Sequence, residues 1–240
     1  MVRRTKKIIY IVGGVTLGFL LVMFIMEPDG DKPSFFKGSL SGQNDKFITY
    51  NPLDLTQTKA LSKFRSCIGH DYSGQNIDGE SETNRSMKNY IEPIDSLAQT
   101  TQQVKALAPF DGEISEIESD QDPRGVQIWL TPDTGGNWQF IFFHIDPLPH
   151  MIEGTKVSAG ELVGYANLTG SGNFDMALKS FSGFSQKLAS VFDYMDASVI
   201  QQYETRGLTA ANIKVTKEVR DAEPCDFGVG SGNDDWVTLI

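Results

Sequence analysis

The feature that most constrains this chain is an apolar run close to its N-terminus. No charged residue interrupts the nineteen positions of residues 8–26. A helix of that length spans a hydrocarbon core of about 30 Å, and the run lacks the polar face that a helix of a globular domain shows. We therefore expect residues 8–26 to form a transmembrane helix that holds the chain in a membrane.

The charges beside this run indicate its orientation. Four of the first seven residues are basic, and acidic residues follow the run at positions 27, 29 and 31. Because basic residues stay on the cytoplasmic side, we expect residues 1–7 to be cytoplasmic and the rest of the chain to be extracytoplasmic. The alternative is a cleaved signal peptide, but the run is long for one and has no small-x-small exit.

The remaining residues divide into a linker and one domain. Residues 27–51 are rich in Pro, Gly, Ser and Asp, which is typical of a flexible linker. Residues 52–240 have the length of a single compact domain. The net charge of the chain is −10, and without the four basic residues before the run it is −14. So acidic a domain argues against nucleic acid as a partner.

Two cysteines, Cys67 and Cys225, are the only ones in the sequence. An even number of cysteines in an exported chain favours a disulfide. Such a bridge would tie the C-terminal tail to the start of the domain. The alternative is that Cys67 stays reduced and acts as a thiolate metal ligand.

Short stretches in the middle of the domain have the pattern of β-strands and are separated by Gly, Pro and Asp. Residues 113–117, 126–130 and 174–178 alternate between apolar and polar, residues 138–145 are rich in aromatics, and residues 157–164 have the shape of a tight turn that leads into another strand. This pattern predicts a mainly β domain, an antiparallel β-sandwich or barrel, with its core at 108–178. In the last stretch we expect residues 174, 176 and 178 to face the core.

The two flanks of the β core differ from it. Residues 94–107 have the composition of a short helix. After residue 179 the apolar period becomes helical, at Phe192, Met195, Val199 and Tyr203. We therefore predict a helix that packs on the β core within a helical or irregular extension, residues 179–240.

Four segments of the predicted core stand in a particular order. They are APFDGEI at 108–114, FFHI at 142–145, GTKVSAGELVG at 154–164 and TGSG at 169–172. Together they resemble the lysostaphin/LytM-type zinc metallopeptidases, which cut peptidoglycan cross-bridges. The third segment alone also occurs in biotinyl and lipoyl carrier domains, but those need a Lys on an exposed hairpin tip, which is absent here. The resemblance implies a β fold of the metallopeptidase type.

The same resemblance implies a zinc site whose ligands this chain lacks. The family holds zinc with a His, an Asp four residues later and the second His of a His-x-His, and leaves one position for water. Here Asp71 stands in the place of the ligand Asp, and Cys67 in the place of the preceding His. Asn173 and Asp175 replace the two histidines of the His-x-His.

Two histidines remain near this set. His144 keeps the place of the histidine in the family's Y-x-H-L strand, and His70 lies next to Asp71. We expect no catalytic residue and no catalytic zinc. Two altered sites stay open: His70, Asp71 and Asp175 holding zinc or a harder cation, or a Cys67 thiolate with the two carboxylates. The third histidine, at position 150, we place at the surface.

These residues lead to one interpretation with two alternatives. We expect an anchored exterior protein whose inactive domain serves as a binding, scaffolding or regulatory module, with cell-wall polymer or envelope proteins as partners. Its ligand groove would be flanked by His70, Asp71, His144, Asn173 and Asp175. The alternatives are a metal-dependent cell-wall peptidase with an altered site and a structural subunit of a surface assembly.

Two sequons for N-glycosylation occur in the domain, at Asn84 and Asn167. They carry meaning only if the host glycosylates exported proteins. Both asparagines are therefore candidate modification sites.

Overall fold

The computed structural model describes residues 46–119, 124–170, 172–182, 185–228 and 233–240. The predicted transmembrane run and most of the predicted linker lie outside these residues. Within the described ranges, no helix is both long enough and apolar enough to cross a membrane.

Antiparallel β-strands are the main regular secondary structure of the described residues, as the alternating pattern predicted. The strands are β1 (Thr58–Ser62), β2 (Gln75–Asn76), β3 (Asn89–Pro93), β4 (Lys105–Leu107), β5 (Gly112–Ser119), β6 (Val126–Pro132), β7 (Trp138–Pro147), β8 (Lys156–Val157), β9 (Leu162–Ala166), β10 (Phe174–Ser182), β11 (Ser185–Ala189) and β12 (Trp236–Thr238). Their main order is β12-β1-β3-β10-β7-β6-β5-β8. Strand β9 pairs with β7 and β4, while β11 pairs antiparallel with β10 and in parallel with β2. The predicted strands at 113–117, 126–130, 138–145 and 174–178 fall on β5, β6, β7 and β10, and the predicted turn and strand at 157–164 run from the end of β8 into β9.

Two short α-helices lie between β11 and β12, α1 (Ala197–Glu204) and α2 (Lys217–Ala222). The Asp196 side chain caps α1 by accepting a hydrogen bond from the Val199 backbone N–H, as a carboxylate at an N-cap does. Val199 and Tyr203 lie on α1, whereas Phe192 lies in a 3-10 turn before it and Met195 in between. All four are buried, so the predicted stripe packs on the core although only its second half is helical.

The predicted helix at 94–107 was wrong. This segment holds one 3-10 turn, Asp95–Leu97, and then strand β4, which pairs with β9. The pairing of β4 satisfies its backbone groups across the sheet, and Ala106 is buried there. The tertiary contact therefore overrides the local helical propensity.

The packed domain begins earlier than its predicted boundary. Phe47 and Ile48 belong to the predicted linker, yet both are buried in the main hydrophobic core. The backbone N–H of Ile48 donates to the carbonyl of Tyr194 at 3.0 Å. The boundary between linker and domain therefore lies before Phe47.

The register of β10 sorts its side chains onto two faces. Phe174, Met176 and Leu178 are fully buried in the main core, as predicted. Asp175 and Ala177 lie on the other face. Asp175 stands opposite Phe143 of β7 and Tyr90 of β3, and we call this side of the sheet the Asp175 face. It carries a second apolar cluster of Trp129, Ile141, Phe143 and Ala177.

The segment between β1 and β3 packs against the Asp175 face and is held in place by a buried carboxylate. Glu82 accepts two hydrogen bonds from the Arg65 guanidinium, both at 2.7 Å, and one from Arg85 at 2.8 Å. Burial raises the pKa of Glu82, but these bonds outweigh it, and the net pKa is lowered. Both arginines therefore face an ionised carboxylate at neutral pH, and the segment is fixed without a long helix or strand.

A disulfide joins this segment to the C-terminal tail. Cys67 and Cys225 are bonded, with their Cα atoms 5.2 Å apart, so the predicted bridge is confirmed. Arg220 of α2 lies beside it and pairs with Asp235 at 3.1 Å. Because the sulfur of Cys67 is consumed in the bridge, the alternative of a thiolate metal ligand is wrong.

Candidate functional site

The ends of β3, β7 and β10 bring together a buried ion pair. The ammonium Nζ of Lys88, the residue before β3, pairs with Oδ2 of Asp175 on β10. The side chains of Lys88 and Asp175 are 3% and 0% exposed. Buried charges of this kind require a partner, so neither residue is a simple surface group.

His144 reaches this pair because its backbone is unusual. Regular alternation along β7 would point it away from the Asp175 face, where Phe143 lies. Its φ of 61° turns the chain instead, and Nε2 comes to 3.4 Å from Oδ1 of Asp175. The Arg124 guanidinium lies 3.3 Å from the same nitrogen and donates to the carbonyl of Asn173 at 3.5 Å. Backbone outliers concentrate at functional sites, and this one positions an imidazole on a carboxylate.

His70 approaches the pair from the other side. Its Nδ1 lies 3.0 Å from the carbonyl oxygen of Asp71, and its Nε2 lies 3.3 Å from Nζ of Lys88. A carbonyl can only accept, which assigns the proton to Nδ1 and leaves Nε2 free to accept from the ammonium. The backbone beside it is tightly packed, since a Cβ on Gly69 would lie 2.0 Å from the Tyr90 hydroxyl.

Aromatic rings surround the ammonium of Lys88. Its Nζ lies 4.9 Å from the ring centres of Tyr72 and Tyr90 and 4.4 Å from that of Phe143. Ring faces attract a cation at such distances. Burial, and after it the charge of Asp175, raises the pKa of both tyrosines. The phenols therefore stay protonated and leave Asp175 as the negative charge beside Lys88.

The structure brings together only part of the predicted groove. His70, His144 and Asp175 all contact the Lys88 ion pair or belong to it. Asp71 is exposed and contributes its carbonyl oxygen, not its carboxylate. Asn173 likewise contributes a carbonyl, to Arg124. Asp175 does not flank an open groove as predicted, because it is completely buried.

Sequence reasoning missed Lys88 and Arg124. Lys88 precedes the apolar strand β3 at a spacing that puts it on the side of Tyr90, and this alternation was the available clue. Nothing local distinguishes a buried lysine from a solvated one at the edge of a strand.

An open cleft lies next to this cluster. It has a volume of about 350 Å³, and its lining includes Glu92, Pro93, Asp95, Gly172, Asn173 and Trp236. We call it the Asn173 cleft. Lys59 pairs with both of its carboxylates, Glu92 and Asp95, at 3.2 and 2.8 Å, which leaves one net negative charge. The cleft therefore offers one aromatic ring and several polar groups within the size range of ligand sites.

The residues of the cluster do not fit the zinc ion that the resemblance implies. The ammonium of Lys88 already neutralises Asp175, and it would repel a divalent cation brought to the same carboxylate. Asp71 contributes its backbone carbonyl to the cluster and not its carboxylate. The sulfur of Cys67 is bonded to that of Cys225. Among the residues that the structure describes, no group of three or more His, Cys, Asp or Glu side chains is arranged to hold a metal ion.

Several solved structures are similar to part of this chain. No protein-family model and no curated protein matches the chain. The lysostaphin catalytic domain from Staphylococcus simulans is 16% identical over 57% of this chain and 92% of that one, with a TM-score of 0.36. A putative glycyl-glycine endopeptidase LytM from Ruminococcus gnavus is 18% identical over 58% and 59%, with a TM-score of 0.37.

The chain resembles lysostaphin/LytM-type peptidase domains. This is the family that its four segments resemble. A further similar structure is that of the SpoIIQ–SpoIIIAH pore forming complex, at 12% identity over 65% of this chain and 97% of that one, with a TM-score of 0.44. The chain spans 59% of the LytM chain and 52% of the chain in a solution structure of lysostaphin. At these identities and TM-scores the similarity transfers no activity, substrate or partner.

Proposed function

We propose that this domain is a non-catalytic binding module, held outside a membrane by residues 8–26, in which an internal ion pair replaces a catalytic metal. The observation that carries the proposal is the burial of Asp175 against the Lys88 ammonium. Asp175 stands where the resemblance places a zinc ligand. A cation supplied by the chain itself neutralises it, without an open coordination position for water.

Other observations support the exterior location and the binding role. A disulfide persists in oxidising compartments, and the acidic domain repels other polyanions. The Asn173 cleft supplies a surface for a ligand beside the former metal position. We infer that the β domain has the sandwich arrangement of metallopeptidases, with this cleft on its substrate side. Cell-wall polymer or envelope proteins are the partners we propose.

The metal content of the whole chain tests whether the domain is a peptidase. We expect elemental mass spectrometry of detergent-purified protein, prepared without chelator or His tag, to find far less than one zinc per chain. We also expect no cleavage of glycine-rich cross-bridge peptides. Near-stoichiometric zinc that is lost on Asp71→Ala, together with cleavage, would instead establish a metal-dependent peptidase with an altered site.

The Asn173 cleft provides the test of binding. We expect the whole chain to sediment with purified cell-wall polymer or with one envelope protein. Trp236→Ala should weaken that affinity roughly tenfold, about 1.4 kcal/mol, because aromatic side chains carry much of the energy of such contacts.

The matched control is Ile240→Ala, which removes an exposed apolar side chain from the same tail. Equal affinity of the Trp236→Ala and wild-type chains would show that the ligand does not bind in this cleft. Stable co-purification with partners whose binding does not depend on the cleft would favour the alternative of a structural subunit of a surface assembly.

A further inference from the structure

We propose that Lys88 and Asp175 condense into an intramolecular amide, an isopeptide bond that joins the start of β3 to β10. This modification goes beyond the binding role and does not depend on it: once formed, the amide takes the place of the ion pair, and Asp175 still has no free carboxylate for a metal. The two side chains are already in contact, and the surroundings of the pair favour the uncharged product.

The register of the sheet holds the reacting groups together. Asp175 stands opposite Tyr90 in the antiparallel ladder between β3 and β10. Lys88 is two residues before Tyr90 and therefore lies on the same face, diagonal to Asp175. A nucleophile held in this way beside its target reacts as if at an effective concentration of about 10⁵–10⁸ M. The fold thus supplies the proximity that a free amine and carboxylate in water lack.

The buried surroundings of Lys88 and Asp175 destabilise the charges of both side chains. Asp175 is fully buried, Lys88 is 3% exposed, and three aromatic rings enclose the ammonium. Burial penalises both charged forms, which favours a product without charge. The amide removes both charges permanently, and exclusion of water protects it from hydrolysis.

The atoms and protons of the step balance. The ammonium gives one proton to the carboxylate of Asp175, and the lone pair of Nζ then attacks Cγ. The C–O bond to the protonated oxygen breaks as the Nζ–Cγ bond forms. The nitrogen loses a second proton and the oxygen leaves as water. Ammonium and carboxylate together become one amide and one water molecule, and nothing is oxidised or reduced.

One histidine is placed to move these protons. His70 Nε2, the accepting nitrogen, lies 3.3 Å from Nζ and can take the second proton from it. His144 Nε2 faces the Arg124 guanidinium, which can only donate, so His144 takes no part in the proton transfer. His70 is exposed and exchanges its proton with solvent. Imidazoles are suited to this transfer near neutral pH.

The intact mass of the reduced and denatured whole chain tests the proposal. We expect it to be lower by one water molecule than the mass of the sequence, and tandem mass spectrometry to find Lys88 and Asp175 in one cross-linked peptide. Lys88→Arg should restore the full mass, because a guanidinium keeps the ion pair but remains protonated and does not attack. His70→Ala should slow the appearance of the cross-linked form.

The matched control is Lys179→Met. Lys179 lies on the same face, with Nζ 4.6 Å from the Trp129 ring, and its substitution should leave the loss of water unchanged. A wild-type chain of full mass would overturn the proposal, as would a loss of water that persists in both Lys88→Arg and Asp175→Ala. Neither result concerns metal content or cleft binding, so the proposed function is tested separately.

Discussion

Replacing Lys88 by Met is expected to lower the free energy of unfolding by about 3–5 kcal/mol. Methionine fills similar space but leaves the carboxylate of Asp175 buried without a cation. Removing one member of a buried pair costs more than the pair itself contributes, because the remaining charge has lost both water and partner. This figure is for the ion pair; a chain in which the amide has formed would lose the cross-link as well, since Met supplies neither. Urea unfolding monitored by tryptophan fluorescence gives the value.

Two further variants separate charge from packing. Lys179→Met removes a lysine that also lies over aromatic rings of the Asp175 face, and it should cost less than about 1 kcal/mol. Lys88→Met combined with Asp175→Leu removes both charges and should recover much of the loss, as apolar replacements of buried pairs do. Equal stability of Lys88→Met and Lys179→Met would show that the Lys88–Asp175 pair contributes no more to the free energy of unfolding than Lys179 does.

Removing the disulfide is expected to be the second large change. The Cys67–Cys225 bridge spans 158 positions, and in the chain-entropy model closing a loop of that length contributes about 4–5 kcal/mol. Cys67→Ser together with Cys225→Ser should therefore lower the free energy of unfolding by up to that amount. Denaturant unfolding with and without reductant measures it, and reduced wild type should match the double variant.

The fold should survive without the bridge, because other contacts hold the tail. Arg220 donates to the carbonyl of Arg65 at 2.8 Å and pairs with Asp235. The Cys67 backbone N–H donates to the same carboxylate at 2.5 Å. Near-UV circular dichroism should thus stay native-like in the double serine variant. A loss under about 1 kcal/mol would mean that these contacts already restrict the unfolded chain.

Both predictions concern contacts between distant parts of the chain, and the two differ in how far the sequence indicated them. The disulfide was predictable, because the domain has only two cysteines and each could pair only with the other within one chain. The Lys88–Asp175 pair was not. Many lysines and carboxylates occur in the domain, and composition does not select one combination.

The strands of the core were predictable for a local reason. Alternation with period two is imposed wherever one face of a strand is buried, so residues 113–117, 126–130 and 174–178 indicated their strands and the inward register of β10. The segments around them were less predictable. Residues 94–107 form a 3-10 turn and a strand because β9 supplies a partner, and no local pattern reveals a partner that lies elsewhere in the chain.

The candidate site, like the fold, was predictable only in part. The resemblance to the peptidase family implied that His144, Asp71 and Asp175 lie near one another and that the family's zinc ligands are replaced. The three-dimensional fold replaced that open groove by a buried pair. Lys88 and Asp175 are 87 positions apart, and they meet because β3 pairs with β10. Burial and charge pairing depend on which strands become neighbours, and that is a property of the assembled sheet rather than of any segment within it.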